Sequence, residues 1–265
     1  MSTENRPSEQ RIIELEKELR QKTDDLDSCK KEKDEFIYLA SHDLKAPLRK
    51  LSTFTERLVH LAGEYLNEDA RSCIARIEKN VLSMQSLIDD LSKLSEIEAG
   101  SDFEKCDLNQ ILDDVLEEAS VQWKINRTAI HVSALPEIYG NRRQLKMVFK
   151  NIIDNAIKFQ PGGQSPEITI SAGLLNEEEK VTFNLPPENV YDEIKFEDNG
   201  IGFSEKEAAD ILKPFVRLNG QSYPGNGIGL ALCNKIIKLH NGIFYAKGIQ
   251  NKGSVFVLIL PRFLQ

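Results

Sequence analysis

The sequence has few cysteines and no long hydrophobic run. Its four cysteines are scattered among 265 residues without C-x-x-C spacing, which argues against a zinc site and a disulfide framework. The longest apolar run, Val255 to Leu260, is far shorter than the roughly 20 residues of a membrane helix. Residues 1–10 are polar and unlike a signal peptide. We therefore expect a cytoplasmic protein with no membrane span.

Blocks of basic residues are also lacking. The chain has 34 lysines and arginines against 42 acidic residues, which gives a net charge of −8 and argues against nucleic acid as a partner. With only 10 prolines and 15 glycines, the composition is not that of a low-complexity chain. The length is instead sufficient for one or two globular domains.

The N-terminal third has the apolar spacing of long helices. From Ile12 to Leu61 the apolar residues follow a heptad, which Lys22 and Lys33 interrupt. A second helix follows Asn67, a residue suited to N-capping, and repeats the heptad from Ala70 to Leu91. Because one hairpin buries only part of such faces, we expect a homodimer that forms a four-helix bundle.

Beyond residues 99–101 the pattern changes to mixed helices and strands, which predicts a two-layer α+β domain. Residues 176–189, with a run of three consecutive glutamates and Pro186-Pro187, are predicted to be a surface hairpin. The predicted helices are 108–122, 142–159, 205–212 and 227–240. The predicted strands are 128–133, 167–172, 181–184, 192–197, 242–246 and 254–260.

Three segments of this second part have features of a ligand site. Asn151, Asn155 and Lys158 recur at i, i+4 and i+7 and share one helix face. By itself that pattern also fits the solvated face of an amphipathic helix. The segment DNGIGF (198–203) could approach a flat ligand or form a plain β-turn. The segment GNGIGLAL (225–232) opens a helix whose free N–H groups favour anions, although a simple loop fits as well.

Taken together, these segments resemble the Asn box and the two glycine boxes of the ATP-binding domain of sensor histidine kinases, in the gyrase-type ATPase superfamily. LKPFVRL (212–218) resembles the phenylalanine box, with Leu212 where Phe is common. FIYLASHDLKAPL (36–48) resembles the phosphoacceptor box, with His42 as its histidine. The resemblance covers most of the chain, from about Glu35 to Arg262.

The resemblance implies a role for each matching residue in binding ATP and Mg²⁺. Asn155 would hold Mg²⁺, and Asp198 would bind the adenine amine. Residues 217–223 would form a short lid. The remaining expected nucleotide contacts are Asn151 and Lys158 near the phosphates, Phe159 by the nucleotide, Gly200 and Gly202 beside the base, Arg217 in the lid, and Gly225, Gly227, Gly229 and Leu230 in the phosphate-binding box.

At the phosphoacceptor box, His42 would be the nucleophile and Asp43 the proton acceptor on its other ring nitrogen. The role of Asp43 follows from the resemblance, because neighbours in sequence lie on different faces of a helix. His60, His131 and His240 lack such a context and are interpreted as surface or packing residues. Ala46 stands where many such kinases have Thr or Asn, which predicts weak phosphatase activity.

The resemblance implies an ATP-dependent histidine kinase that phosphorylates His42 and passes the phosphoryl group to an aspartate of a response-regulator receiver domain. The expected partners are a second copy of the chain, that regulator, and a separate or missing sensor module. One alternative is a catalytically weak dimeric adaptor with a degenerate kinase body. Another is a water-hydrolysing ATPase clamp, which is disfavoured because Asn151 stands where such enzymes usually have a glutamate.

These interpretations combine into a multidomain architecture. An all-α helical hairpin, forming a dimeric four-helix bundle with an N-terminal coiled coil, precedes an α+β two-layer sandwich. The predicted segments are a disordered tail (1–10), a coiled-coil signalling helix (11–35), a dimerisation and histidine phosphotransfer domain (36–98), a linker (99–106) and a catalytic ATP-binding domain (107–265).

Overall fold

The computed structural model describes residues 6–97, 102–120, 129–162, 164–218, 223 and 225–263. The chain divides into two compact units, Met1–Glu96 and Ile97–Gln265. The first is a helical hairpin and the second is an α/β unit.

The hairpin consists of α1 (Arg6–Ala62) and α2 (Glu68–Glu96). Asn67 caps α2 as predicted, since the Ala70 N–H donates to its Oδ1 at 2.8 Å. Helix α1 begins at Arg6, inside the range 1–10 that the sequence predicts to be disordered. That prediction is wrong for residues 6–10, because polarity at a helix end does not exclude helix and the following residues are good helix formers.

The two helices share a small core made of Leu48, Val81 and Ile88. An ion pair between Lys45 Nζ and Asp89 Oδ1, 2.9 Å apart, joins the helices on their surface. Many other large apolar side chains of the hairpin stay exposed in the single chain. They include Leu15, Leu19, Leu26, Phe36, Leu39, Leu44, Leu51, Phe54, Leu58, Ile77, Leu82 and Met84.

The second unit has two layers, a five-stranded sheet and the three longer helices packed on one of its faces. Its helices are α3 (Leu108–Ser120), α4 (Arg142–Lys158), α5 (Glu177–Thr182) and α6 (Gly229–Leu239). Its strands are β1 (Glu104–Asp107), β2 (Ala129–Val132), β3 (Glu137–Gly140), β4 (Glu167–Leu174), β5 (Tyr191–Asp198), β6 (Ile243–Ile249) and β7 (Gly253–Pro261).

The strand order in the sheet is β2-β4-β5-β7-β6, with β2 and β4 parallel and the other neighbours antiparallel. In register, Phe196 of β5 faces Phe256 of β7. Both rings are buried on the helix side, where Phe149 of α4 meets Phe196 edge-on at 5.0 Å between centroids. This packing fixes α4, the helix with the two asparagines, against the centre of the sheet.

Strand β1 pairs with β3 in a separate two-stranded sheet. It begins at Glu104, inside the predicted linker 99–106, so residues 104–106 of that prediction are wrong. The sequence gives little sign of this pairing because the partner residues, such as Ile138 opposite Cys106, lie some thirty positions away. Residues 98–101 lie outside the described part of the chain.

Two other predictions fail for local reasons. No strand forms at the predicted range 181–184, because residues 181 and 182 are the last two residues of α5. This helix begins with a capping box between Asn176 and Glu179. The helix predicted at 205–212 is two short 3₁₀ turns, Glu205–Glu207 and Asp210–Leu212. It cannot continue further, because Lys213 precedes Pro214 and is extended. Strands lie in the other five predicted ranges, although residue 128 of the first range is outside the described residues.

Residues 175–190 cover part of the outer sheet face rather than projecting as the predicted surface hairpin. Leu175 and Tyr191 form a buried cluster with Val257 and Ile259, and Phe183 and Leu185 pack against it. Lys180 is buried and donates to Glu177 Oε1 at 2.8 Å and to the Pro187 carbonyl at 3.0 Å.

Candidate nucleotide site and phosphoacceptor helix

Helix α4 is the element around which the predicted nucleotide residues are arranged. Asn141 caps its start by accepting from the Gln144 N–H at 3.0 Å, and Ile152, Ile153 and Ala156 bury one side of the helix. Asn151, Asn155 and Lys158 are partly exposed on the other side, which confirms the face predicted from their spacing.

Asn151 lies against the first turn of α6. A Cβ placed on Gly229 would be 3.1 Å from Asn151 Oδ1, so glycine at this position allows the two helices to approach closely. Leu230, the next residue, is partly buried. Asn151 of the Asn box and Gly229 of the second glycine box, 78 positions apart in the sequence, therefore lie next to each other.

The end of α4 carries an ammonium group in a partly buried setting. Lys158 Nζ lies 4.3 Å from the centroid of the Phe159 ring, and a Cβ on Gly225 would collide with this ammonium. Burial lowers the pKa of Lys158, the nearby Arg217 guanidinium lowers it further, and Asp154 opposes the shift. Each of these two neighbouring cations disfavours the positive charge of the other. Their arrangement therefore suits the binding of an anion such as a phosphate group.

The first glycine box joins the same end of α4. The Ile201 N–H donates to the Phe159 carbonyl at 2.9 Å, and a Cβ on Gly200 would lie 2.6 Å from that oxygen. Any side chain at 200 would therefore push the box away from α4. Gly202 instead lies against the β6–β7 turn, next to the carbonyl oxygens of Ile249 and Gly253.

Asp198 ends β5 at this site and is held by two backbone donors. Its Oδ1 accepts from the Gly200 N–H at 2.8 Å and from the Ser254 N–H at 3.3 Å. Burial nevertheless raises the pKa of this carboxyl, because the loss of water disfavours its charged form. The two bonds fix the orientation of the carboxylate.

The second glycine box also contacts the phenylalanine box. Gly227 has φ +71° and its carbonyl accepts from the Phe215 N–H at 2.9 Å. A side chain at 227 would meet the Val216 carbonyl at 2.7 Å, so the backbone requires glycine here on both grounds. Residues 219–222 of the predicted lid lie outside the described residues.

Two residues at the site carry contacts that the sequence did not predict. Tyr223 was interpreted only as the end of the lid, yet its hydroxyl donates to the Gln160 carbonyl at 3.1 Å. Its position as an aromatic residue just before the second glycine box is a signal that could have been used. Ser254, which holds Asp198 through its backbone N–H, has no such signal in the sequence.

His42 lies on the exposed side of α1, with 77% of its side chain accessible. Its Nδ1 is 3.4 Å from Asp43 Oδ1, so adjacent residues reach each other despite the helical spacing that argued against it. Helix α1 continues through Pro47. The other histidines agree with their interpretation, since His60 and His131 are exposed and His240 is buried.

Among the described residues, no group of three or more His, Cys, Asp and Glu side chains is arranged to hold a metal ion. Nor is any helix in the described ranges long and apolar enough to cross a membrane.

Comparison with known families gives two matches that follow one another along the chain. Residues 32–100 match the His Kinase A (phospho-acceptor) domain. Residues 140–263 match the histidine kinase-, DNA gyrase B- and HSP90-like ATPases. The first match contains His42, and the second contains all three nucleotide segments.

Individual relatives agree with these matches. The chain is 31% identical over 252 residues to phytochrome-like protein Cph1 of Synechocystis sp., covering 94% of this chain and 32% of that protein. It is 30% identical over 254 residues to cyanobacterial phytochrome A of Nostoc sp., covering 94% and 31%. The chain thus spans about a third of the length of these relatives.

Solved structures show the same fold at low sequence identity. Full-length ShkA in complex with AMPPNP superposes with a TM-score of 0.61 at 20% identity, covering 86% of this chain and 45% of that one. Histidine kinase AdeS of Acinetobacter baumannii gives 0.54 at 18% identity, covering 83% and 98%. With a phosphoacceptor hairpin followed by an ATP-binding domain, the chain belongs to the sensor histidine kinases of two-component systems.

Proposed function

We propose that this protein is an ATP-dependent histidine kinase that phosphorylates its own His42 and then passes the phosphoryl group to an aspartate of a response regulator. The observation that carries the proposal is the convergence of three sequence segments on α4. Asn151 lies beside Gly229, Lys158 beside Gly225, and the Phe159 carbonyl accepts from the Ile201 N–H.

The nucleotide would lie along the exposed side of α4. The Oδ2 atom of Asp198 would accept the adenine amine, since Oδ1 already accepts two backbone N–H groups. Lys158, Arg217 and the N–H groups at the start of α6 would bind the phosphates. The Asn155 amide oxygen, with phosphate oxygens, suits Mg²⁺, which prefers oxygen ligands and neutralises phosphate charge when bound.

In the transfer to His42, Nε2 attacks the γ-phosphorus with its lone pair. The N–P bond forms while the bond from the γ-phosphorus to the bridging oxygen breaks, and ADP leaves with that electron pair. Asp43, whose Oδ1 lies 3.4 Å from Nδ1, accepts the Nδ1 proton and so balances the charge on the ring. The regulator's aspartate then takes the phosphoryl group as the N–P bond breaks.

Hydrolysis by water is the less suitable reaction for this site. The Asn151 amide cannot take a proton from water, whereas a carboxylate at the same position could. The chain instead offers its own exposed imidazole as acceptor. This favours phosphoryl transfer over the ATPase clamp.

We infer that two copies of the chain associate through the hairpin that matches the phospho-acceptor domain, since its exposed apolar residues suit a second copy. We assign dimerisation and phosphotransfer to residues 36–98, signal input to the coiled coil at 11–35, and catalysis to residues 107–265. The stimulus would come from a sensor module outside these segments.

Incubation of the full chain with γ-labelled ATP and Mg²⁺ tests the proposal. The wild type should acquire acid-labile, alkali-stable label, as expected for phosphohistidine. His42→Gln should abolish labelling while ATP affinity stays nearly unchanged. His60→Gln, an exposed histidine on the same helix, is the matched control and should label normally.

Two results would contradict the assignment. Label on the His42→Gln protein would mean that another residue is the acceptor. ATP binding without any label on the wild type would favour the dimeric adaptor instead.

A further inference from the structure

Tyr223 contacts the end of α4 through its side chain and Arg217 through its backbone carbonyl. Its hydroxyl donates to the Gln160 carbonyl at 3.1 Å, and its ring centroid lies 5.2 Å from that of Phe159. Its own carbonyl accepts from Arg217 Nη2 at 2.7 Å. Tyr223 thus contacts both Arg217 and the two residues that directly follow Lys158. Arg217 and Lys158 are the two cations expected to face the phosphates.

The contacts continue from Tyr223 to Lys158. The Phe159 ring contacts Tyr223 and also lies 4.3 Å from the Lys158 ammonium, an arrangement in which ring orientation sets the position of the cation. Gly225, two residues after Tyr223, approaches the same ammonium so closely that a Cβ would collide with it. Moving Tyr223 would therefore release Lys158 from its ring contact and Arg217 from its carbonyl.

We propose that Tyr223 is a positioning residue that holds Lys158 and Arg217 in place for the phosphate groups of the nucleotide. The proposal rests on the proposed function, since it takes these cations to be the phosphate contacts. The cations that Tyr223 contacts directly or through Phe159 are at the phosphate end, whereas no hydrogen bond or ring contact joins it to Asp198 among the described residues, so we expect its loss to affect phosphate binding more than base binding. This separation makes the role measurable.

The test compares ligands that differ in phosphate, using titration calorimetry on the full chain. Tyr223→Ala should weaken ADP and ATP binding about ten-fold, since it removes a hydrogen bond and an aromatic contact. Adenosine binding should stay within about two-fold of wild type. Tyr223→Phe keeps the ring and should lose only about three-fold for ADP, the effect of one hydrogen bond.

Kinetics give a second readout that a merely structural role would not produce. In Tyr223→Ala the KM for ATP should rise while kcat at saturating ATP stays nearly constant, because positioned cations bind substrate before transfer. Tyr65→Ala is the matched control, since Tyr65 is 89% exposed in the hairpin turn and its loss should change neither constant.

Several results would overturn the proposal. Equal losses for adenosine and ADP would mean that Tyr223 supports the whole site or contacts the base. Unchanged ADP binding in Tyr223→Ala would show that the contact has no role. If the wild type bound neither ADP nor ATP, the proposed function itself would fail, so the two failures are distinguishable. Thermal unfolding of Tyr223→Phe checks that the comparison is made on folded protein.

Discussion

His240 joins the end of α6 to the beginning of α4 through both of its ring nitrogens. Nδ1 lies 2.8 Å from the Ile236 carbonyl and so must donate, while Nε2 accepts from the Asn141 N–H at 3.0 Å. This arrangement requires the neutral imidazole. Burial lowers the pKa of His240, which also favours the neutral form. Gly140 leaves room for the ring, since a Cβ at position 140 would be 2.8 Å from it.

A pH dependence of stability follows from this histidine. Since its pKa is lower in the folded than in the unfolded state, the unfolded chain binds more protons below about pH 6.5. The contribution of neutral His240 to the free energy of unfolding is therefore complete above about pH 6.5. It is lost as the pH falls from there towards the pKa of His240 in the folded state. Urea unfolding of the full chain, followed by circular dichroism at pH 7.5, 6.5 and 5.5, should show this loss.

The control for this prediction is His240→Gln, which is less stable at every pH but does not titrate. Its unfolding free energy should fall less than that of the wild type between pH 7.5 and 5.5. Parallel curves for the two proteins would mean that other groups cause the acid sensitivity.

Ala46 lies four residues after His42, on the same exposed side of α1. A methyl group cannot hydrogen-bond the water that dephosphorylates a regulator, whereas autophosphorylation does not need that water. We expect normal kinase activity with weak phosphatase activity, measured as loss of label from purified phospho-regulator with Mg²⁺ and ADP. Ala46→Thr should gain activity, and a strong acceleration by the wild type would refute the prediction.

At the scale of secondary-structure elements, the sequence predicts best those features that depend on residues a few positions apart, such as the spacing along a helix face or a helix cap. The spacing of Asn151, Asn155 and Lys158 correctly predicts their common face on α4. The strand predicted at 181–184 is wrong, because its alternating pattern favours a strand while the capping box at Asn176 and Glu179 starts a helix.

Contacts between segments could not be predicted from the sequence in the same way. The resemblance indicates that the glycine boxes and the Asn box belong to one site, but nothing in the spacing brings Gly225 to Lys158 or Ser254 to Asp198. Those contacts depend on the order of strands in the sheet and on the packing of Phe149 against Phe196. In the sequence, the residues that bring these segments together look like ordinary core and turn residues.

The register of the N-terminal coiled coil can be tested through Cys29. This exposed cysteine continues the heptad of Leu15, Leu19 and Leu26, so two parallel copies would bring their Cys29 side chains together across the seam. A short bismaleimide should therefore join two chains of the Cys73→Ser variant. Cys29→Ser, which keeps the exposed Cys73 of α2, should give little dimer on a denaturing gel.

Cross-linking that is lost in Cys73→Ser and kept in Cys29→Ser would contradict this register. It would place the α2 helices of two chains together instead. Dilution of the protein before reaction checks that the product comes from a stable dimer rather than from collisions.

For the molecule as a whole, the uncovered apolar residues of the hairpin favour assembly over a monomeric state. The core of the single hairpin is limited to a few side chains such as Leu48, Val81 and Ile88, while large residues like Phe36 and Phe54 are 72% and 65% exposed. A second copy would bury these faces. We therefore expect a dimer mass for the full chain in light scattering, and a monomer at micromolar concentration would count against the bundle.

Because α1 is one continuous helix, the orientation of its N-terminal part relative to His42 depends on the number of residues between them. The helix runs without a break for 57 residues, about 85 Å, and each residue turns it by about 100°. Removing one residue before His42 would rotate everything on its N-terminal side by that angle, whereas removing seven would leave the orientation within about 20° of the original. Kinase output should therefore vary periodically, not progressively, with the number of residues deleted between positions 14 and 35.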